Sequence, residues 1–317
     1  IASCKYQHPT LMALDILQMN EEMAGCLKKV NFHENAIHFG LQSTDSNTLD
    51  MSGRRADPPI FRKNIATLRR VYPDAELSFD IIHGLPGDNY EKYRETINFG
   101  LSMEPRKLYF SNLILLPGTS YWDDREKHEF TYGAIPPYVV SGNNTFPVKE
   151  VEKSRELYMW VQLVLFFYPI RDIIYEIAKL RPNQQHIELV EEFAYYVLTR
   201  YGFNPFEGVN PNILTIEANN IARRRVFNRL EDPKNCLIAY KAALDILHLE
   251  KEDWVDNSGG LKKVRLGIEF YEAMLDRPEA EVEKEFLEKY DEDQHKYIKC
   301  KWIPSAIPEI AADVALA

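Results

Sequence analysis

The stretch from Leu77 to Gly87, which reads LSFDIIHGLPG, constrains the fold more than any other part of the chain. A short apolar run that ends at glycine and proline residues is typical of a buried parallel strand. One acid, Asp80, interrupts the run, and an unpaired carboxylate in such a strand is strongly destabilising. We therefore expect a buried strand whose acid is paired with an arginine or with a hydroxyl group of a ligand.

Further strands and helices surround this stretch and give the order βαβαβ. Strands are predicted at 36–42 and 107–116, and helices with apolar residues on one face at 60–71 and 90–101. An earlier strand is predicted at 10–16, followed by a helix that Asn20 caps. Strands that alternate with helices form a parallel sheet, which binds ligands at the carboxyl ends of its strands.

Several motifs in this region follow one another in a fixed order. They are HFGLQST at 38–44, then Leu49 and Arg54, then DIIHGLPGD at 80–88 and LLPGT at 115–119. In this order they resemble the later barrel strands of radical S-adenosylmethionine (SAM) enzymes, in particular the coproporphyrinogen dehydrogenase and cobalamin-dependent branches. The segment 132–139, YGAIPPYV, resembles the Pro-Pro-Tyr connection of many cobalamin-dependent members and favours that branch.

The resemblance implies part of a (β/α) barrel with parallel strands over residues 1–125, followed by a connector over 126–150. From residue 151 onward, apolar residues repeat at the three- and four-residue spacing of helices. We therefore expect an α/β partial radical SAM barrel followed by an all-α C-terminal domain over 151–317. The resemblance covers residues 10–150 and does not extend into that helical part.

The resemblance also implies which residues hold SAM. Gln42 and Arg54 are expected to reach its methionine end and Asp80 its ribose or charged groups, while Ser43 lies beside Gln42 at the strand end. An arginine pairs with a carboxylate, and an acid accepts hydrogen bonds from hydroxyl or ammonium groups. Without the neighbouring motifs, Gln42 and Ser43 would indicate only a turn that ends the strand.

Backbone groups at Gly84, Leu116 and Pro117 are expected to hold the adenine of SAM, again because the resemblance implies it. Glycine lets a ligand approach the backbone closely, although turn formation alone also explains these residue types. Three ring-bearing side chains near the strand ends are candidates for substrate contact: His83, Tyr121 and Tyr138.

The four cysteines are scattered over positions 4, 26, 236 and 300. No CxxC or CxxxCxxC motif is present, so no metal ligand is predicted in this chain. In the family that the chain resembles, the cluster cysteines follow the first barrel strand, whereas the first strand recognisable here resembles the third. We therefore expect the [4Fe-4S] cluster and cobalamin to be held upstream of residue 1, and this chain alone to be inactive.

Charge and hydropathy limit the partners. The formal net charge of −10 argues against a broad basic groove for duplex nucleic acid. No apolar run is long enough to span a bilayer, and scattered thiols are typical of a cytoplasmic protein. The expected partners are a small-molecule substrate, the missing N-terminal part of the same protein and, as the resemblance implies, an external electron donor.

These patterns favour a radical SAM enzyme of the cobalamin-dependent branch that acts on an unactivated carbon of a small molecule. In that family an iron–sulfur cluster cleaves SAM reductively, and a 5′-deoxyadenosyl radical then abstracts hydrogen from the substrate. Methyl transfer and rearrangement, such as ring contraction of a nucleotide or natural product, both remain open. The alternatives are a porphyrin-type radical SAM oxidase without cobalamin and a non-catalytic helical interaction module.

Overall fold

A computed structural model describes residues 13–32, 36–54, 57–209, 225–226, 228–247 and 259–290. Its strands are β1 (Ala13–Leu14), β2 (Ala36–Gln42), β3 (Glu76–His83), β4 (Lys107–Asn112), β5 (Thr131–Tyr132) and β6 (Val140–Gly142). Its α-helices are α1 (Glu21–Leu27), α2 (Ser46–Met51), α3 (Pro58–Val71), α4 (Tyr90–Leu101), α5 (Ser120–Asp123), α6 (Val148–Phe166), α7 (Tyr168–Leu180), α8 (His186–Tyr195), α9 (Pro233–Asp245), α10 (Gly259–Asp276) and α11 (Glu279–Lys289). A 3-10 turn lies at Ile16–Gln18, and a π-helix lies at Tyr196–Arg200.

Strands β1 to β4 form one parallel sheet in the order β1-β2-β3-β4. The parallel sheet predicted from the sequence is therefore confirmed. Its register aligns two rows of residues across β2, β3 and β4: His38, Ser78 and Lys107, then Gly40, Asp80 and Tyr109. Because successive residues of a strand point to opposite sides, both rows lie on one face of the sheet.

One face of the sheet is packed against helices, and we call it the covered face. Its central residues are Phe39, Phe79 and Leu108, all buried. The ring of Phe61 on α3 meets Phe79 edge-on at 5.4 Å. Helix α4 approaches the sheet closely at Gly100, where an added Cβ would lie 3.2 Å from Leu108. Burial of large apolar side chains, at roughly 1.5–3 kcal/mol each, makes this face the core.

The opposite face carries the two rows from His38 to Tyr109, and we call it the open face. Asp80, His38 and Tyr109 are half-buried there, in contrast to the fully buried neighbours of Asp80 on β3. Between Leu77 and Ile81, β3 therefore alternates between apolar residues on the covered face and polar residues on the open face, instead of being apolar on both sides. That alternation brings polar side chains of three strands together.

Helix starts in this part of the chain are fixed by side-chain caps. The side chains of Asn20, Asp45, Asp57 and Asn89 each accept a hydrogen bond from a backbone N–H in the first helical turn, at 2.8–3.0 Å. Each bond satisfies a donor that the helix leaves unpaired. The cap predicted at Asn20 is therefore confirmed, and the helices that follow β2 and β3 begin at defined residues.

After β4, the chain enters an irregular connector that returns to the end of the sheet. The strand ends at Asn112 rather than at residue 116, because the chain after Leu113 bonds to residues 138–140 and no longer to β3. Leu113 N still donates to His83 O at 2.8 Å, whereas Val140 N donates to Leu113 O at 2.9 Å and Leu115 N donates to Tyr138 O at 3.1 Å. Strands β5 and β6 pair antiparallel within this connector.

The chain divides into two compact units. The first comprises residues 1–166, 174–194 and 210–220, and the second comprises residues 167–173, 195–209 and 221–317. This division differs from the boundary expected at residue 151, because helices beyond it pack with the sheet. Arg94 of α4 forms a two-pronged ion pair with Glu191 of α8, at 2.6 and 3.0 Å, and Tyr175 on α7 donates to Pro105 O at 2.9 Å.

The described part of the second unit is helical. Tyr240 of α9 lies directly against Gly267 of α10, where a Cβ would collide with its ring, and Phe270 meets Phe286 of α11 edge-on at 5.1 Å. Taken singly, none of the described helices is both long and apolar enough to cross a membrane, although the bent pair α6 and α7 meets that criterion jointly.

Candidate functional site

Asp80 is the acid on β3 that the sequence singles out. Its side chain lies half-buried on the open face, between Gly40 of β2 and Tyr109 of β4. It makes no hydrogen bond or ion pair with any described residue, and burial alone raises the pKa of its carboxyl group. No arginine partner is therefore seen in the described part of the chain. A hydroxyl or ammonium group of a ligand would satisfy such an acceptor.

Gln42 presents a second unpaired acceptor on the strand next to Asp80. The register between β2 and β3 shifts between Gly40 and Gln42, and Gln42 has a φ of 64°, which is uncommon for a non-glycine residue. Its amide folds back over Gly40, since a Cβ added there would lie 2.5 Å from Gln42 Nε2. Gln42 Oε1 is buried and has no hydrogen-bond partner within the described ranges.

The rings of His38 and Tyr109 meet across β3, and we call this pair of rings the arch. Their ring centroids are 5.2 Å apart although β3 runs between their strands, so the rings meet above Ser78, which is buried. Burial, together with the charge of Lys107, lowers the pKa of His38, so its imidazole is neutral at neutral pH. The sequence analysis assigned no functional role to either ring.

The remaining residues expected at the methionine end of SAM differ in exposure. Ser43 is buried, and its hydroxyl accepts a hydrogen bond from Asp45 N at 3.2 Å, which makes it part of the turn after β2. Arg54 is exposed beyond α2, and its backbone N–H donates to Leu49 O at 2.9 Å. Its guanidinium group makes no hydrogen bond or ion pair with the described residues and is available to pair with a carboxylate.

The residues expected to hold adenine lie in two turns. Gly84 has a φ of 90°, which favours glycine, and its carbonyl accepts a hydrogen bond from Asn143 Nδ2 at 3.0 Å. Leu116 and Pro117 are exposed in the turn after β4, where Leu116 O accepts from Thr119 N at 3.1 Å. All three residues therefore lie in turns that follow strands. Of these two turns, only the one at Leu116 and Pro117 has an exposed backbone.

His83, a candidate for substrate contact, does not face the open end of the sheet. It lies on the covered face, fully buried, with Nε2 2.6 Å from Ser154 Oγ and the ring of Tyr93 edge-on at 4.9 Å. Burial, and then the charge of Arg155, lowers the pKa of His83 to about 3, so the ring is neutral. The strand alternation turns its side chain away from Asp80.

Tyr121 and Tyr138, the other two candidates for substrate contact, are half-buried in the connector. The Tyr121 hydroxyl is buried beside Ser52, near the end of α2, and its ring meets Phe130 edge-on at 6.0 Å. Tyr138 packs against Trp122 with ring centroids 5.2 Å apart. Both side chains therefore belong to an aromatic cluster that covers the ends of the strands.

These acceptors fit part of SAM. An unpaired carboxylate at Asp80 and an unpaired carbonyl at Gln42 suit the ribose hydroxyls or the ammonium group of SAM, and the Arg54 guanidinium suits its carboxylate. The described residues do not fit an iron–sulfur cluster, which needs several thiolates close together. Only Cys26 and Cys236 fall in the described ranges, where no group of three His, Cys, Asp or Glu side chains could hold a metal ion.

Comparisons with known proteins found relatives and solved structures that match part of this chain. Over 103 residues the chain is 30% identical to the tRNA-2-methylthio-N(6)-dimethylallyladenosine synthase of Acinetobacter baumannii (strain AYE), covering 32% of this chain and 21% of that protein. The coproporphyrinogen III oxidase of Escherichia coli, described as a radical SAM enzyme, matches 33% of this chain and 24% of its own, with a TM-score of 0.29 and 17% identity.

A second solved structure is the radical S-adenosylmethionine methyltransferase TsrM of Kitasatospora setae, with cobalamin and a [4Fe-4S] cluster bound. It matches 39% of this chain and 23% of its own, with a TM-score of 0.33 and 16% identity. No family model matches the chain. Since the chain spans about a fifth of the length of the curated relatives that it matches, the activity and substrate of the whole protein are proposals.

Proposed function

We propose that this chain is part of a radical SAM enzyme and that the open face of its sheet binds SAM. The observation that carries the proposal is the pair of unpaired acceptors, the half-buried Asp80 carboxylate and the buried Gln42 Oε1, on neighbouring strands. Unsatisfied polar groups at such positions are costly, so a protein retains them where a ligand completes their hydrogen bonds.

In this proposal each residue has a separate role. Asp80 and Gln42 accept hydrogen bonds from the ribose hydroxyls or ammonium group of SAM, and Arg54 pairs with its carboxylate. Exposed backbone groups around Leu116 and Pro117 orient the adenine, and Gly84, whose carbonyl bonds to Asn143, shapes the turn after β3. The cofactors, SAM together with a [4Fe-4S] cluster and cobalamin held elsewhere in the protein, supply the radical chemistry.

The test compares two variants in which an acid is neutralised, one within β3 and one just before it. Asp80→Asn should weaken SAM binding by the complete, reconstituted protein by about 1–3 kcal/mol, the range for a charged hydrogen bond. The matched control is Asp74→Asn, an exposed acid just before β3, which should bind SAM like the parent. Equal affinity of both variants and the parent would exclude Asp80 as a SAM ligand.

The reaction that we propose is methyl transfer to an unactivated carbon of a small molecule, with cobalamin as methyl carrier. Support comes from the Pro136–Pro137–Tyr138 connector, which resembles that of the cobalamin-dependent branch. Incubation of the complete enzyme with methyl-labelled SAM and candidate substrates tests this. Label in the product supports transfer, whereas 5′-deoxyadenosine with an unlabelled, rearranged product supports rearrangement such as nucleotide ring contraction.

A second candidate is methylthio transfer to an adenosine of tRNA. The specific observation behind it is the 30% identity over 103 residues to a protein named for that product. Retention of radioactive tRNA by the complete protein, and methylthio-adenosine in digests of treated tRNA, would favour it. The net charge of −10 favours the small-molecule proposal over this one.

The proposed division of labour also predicts what this chain does alone. After anaerobic reconstitution with iron and sulfide, the 317-residue chain should retain no [4Fe-4S] cluster and show no SAM cleavage, because its sequence has no CxxC or CxxxCxxC motif. About four irons per chain, with brown absorbance, would show that its scattered cysteines assemble a site. An upstream region without a cobalamin domain would favour a porphyrin-type oxidase. An upstream region without a CxxxCxxC motif would favour a non-catalytic module.

A further inference from the structure

Lys92 of α4 connects the turns that follow β2 and β3. Its Nζ donates to Asp45 Oδ1 at 3.1 Å and to Gly87 O at 2.8 Å. Asp45 Oδ1 also accepts from the backbone N–H and the hydroxyl of Thr48, at 2.9 and 2.8 Å, and so caps α2. One ammonium group therefore joins the cap of α2, on the β2 side, to the glycine turn after β3.

A second contact from the same helix holds the turn after β2. Thr96 lies one helical turn beyond Lys92, and its hydroxyl accepts from Thr44 N at 3.1 Å and lies 3.0 Å from Thr44 Oγ1. Thr96 Oγ1 in turn donates to Lys92 O at 3.0 Å. The position of the Thr44–Asp45 turn, which directly follows Gln42 and Ser43, is thus set by α4.

Asp88 places a buried acid beside this junction. It is 1% exposed, one oxygen accepts from Asn89 N at 3.0 Å, and Oδ2 has no partner among the residues that the structure describes. Burial, and then the negative charge of Asp45, raise the pKa of Asp88 to about 7, while Lys92 acts in the opposite direction. Around neutral pH the carboxyl group therefore exchanges between neutral and charged forms.

The groups that face Asp88 come from two neighbouring elements. Asp45 belongs to the turn after β2, and Lys92 and Tyr93 belong to α4. Tyr93 is fully buried, and its hydroxyl group interacts electrostatically with Asp88. On α6, Glu150 is engaged with Tyr90 N at 3.1 Å, at the start of α4. Lys92 is thus the cation that Asp45 and an ionised Asp88 would share.

We propose that Lys92 is a positioning residue for the SAM site and that ionisation of Asp88 controls it. When Asp88 is neutral, Lys92 stays on Asp45 and holds the turn after β2. When Asp88 ionises, its unpaired oxygen competes with Asp45 for the Lys92 ammonium and loosens that turn. The inference rests on the proposed function, because it matters for SAM only if Gln42 and Ser43 bind it.

We call the contacts of Lys92 with Asp45 and Gly87 the latch. Amide hydrogen exchange tests this latch without SAM. In the full chain, the protection of the Thr44 and Thr48 amides, corrected for intrinsic exchange, should fall by roughly threefold to tenfold between pH 6 and pH 8. Asp88→Asn, which mimics the neutral acid, should keep the high protection at both pH values. Lys92→Met should show low protection at both, and the matched control Glu91→Gln, an exposed acid beside Lys92, should follow the parent.

The outcomes separate the latch from the SAM proposal. Protection of Thr44 and Thr48 that does not change with pH, or that changes equally in Asp88→Asn, would overturn the latch. SAM affinity of the complete protein at the same two pH values is the second readout, and it should fall at pH 8 in the parent but not in Asp88→Asn. A pH-dependent latch in a protein that does not bind SAM at either pH would reject the proposed function and leave the latch standing.

Discussion

The two faces of one sheet differ in the side chains that they carry and in what those side chains contact. On the covered face, Phe79 is fully buried against α3, and the buried His83 bonds to Ser154 through Nε2, while its Nδ1 has no partner in the described ranges. On the open face, Asp80 and Gln42 Oε1 have no partner in the described ranges. The difference shows that one strand, β3, contributes to stability through one set of side chains and to the candidate site through the alternate set.

The largest expected effect belongs to the covered face. Phe79→Ala removes a fully buried ring that packs on Phe61, and it should lower the free energy of unfolding by about 3–5 kcal/mol. Asp80→Asn, one residue further on, should change it by less than about 1 kcal/mol, since no protein contact is lost. Urea unfolding of both variants measures the contrast. A loss at Asp80 as large as that at Phe79 would make the open face structural.

A second effect of the covered face on stability, which depends on pH, should come from His83. An unfolded histidine takes up a proton below its ordinary pKa of 6.5, whereas the folded His83 does so only near its pKa of about 3. Its contribution to stability is therefore complete above pH 6.5 and is lost as the pH falls toward 3, by up to about 1.4 kcal/mol per pH unit.

His83→Gln should flatten this dependence, as measured by the free energy of unfolding at several pH values. The measurement is best made in the Asp88→Asn background. The raised pKa of Asp88 acts oppositely, because a folded acid that keeps its proton loses stability as the pH rises from its ordinary 3.8 to about 7. An identical pH dependence with and without His83→Gln would place the titrating group elsewhere.

Arg54 should affect binding and leave stability unchanged. Because its side chain is exposed, Arg54→Ala should alter the free energy of unfolding by no more than about 0.5 kcal/mol. If its guanidinium pairs with the carboxylate of SAM, the same change weakens SAM binding by about 1–3 kcal/mol. Arg70→Ala, which removes an exposed arginine paired with Glu21, is the control and should leave SAM binding unaltered.

The smallest expected change is at Gly40. An added Cβ would collide with the end of the flexible Gln42 side chain, so Gly40→Ala should move that amide at a cost in stability of less than about 1 kcal/mol. SAM binding should nevertheless weaken, because Gln42 Oε1 leaves its place on the open face. Gly25→Ala, where an added Cβ meets nothing within 4 Å, is the matched control. Unaltered SAM affinity in Gly40→Ala would remove Gln42 from the site.

The sheet itself was predictable because its signals are local. The strand at 36–42 and the helix at 90–101 were predicted with the observed bounds, since apolar spacing, caps and Gly/Pro breaks mark them. The strand near residues 10–16 is described only at Ala13–Leu14. Helix α6 was read as part of a separate domain because its packing on the sheet is a long-range property that spacing does not reveal.

The site was less predictable because it depends on register. Asp80 was predictable from the sequence, but the strand pattern predicted apolar residues on both faces. His83 was therefore expected at the open end of the sheet. Alternation of Ser78 and Asp80 with Leu77, Phe79 and Ile81 was the available signal. The arch of His38 and Tyr109 depends on pairing across three strands, and the link from Lys92 to Asp45 depends on a loop closing onto a helix. Neither is visible in residue spacing.

The claim that the open face binds SAM is tested most directly by calorimetric titration of SAM into the complete, anaerobically reconstituted protein. The two informative variants are Asp80→Asn and His83→Gln, which alter opposite faces of the same strand. We expect Asp80→Asn to raise the dissociation constant roughly tenfold to a hundredfold, and His83→Gln to leave it unchanged at neutral pH. Parent-like binding by Asp80→Asn, with weakened binding by a folded His83→Gln, would contradict the assignment of the open face.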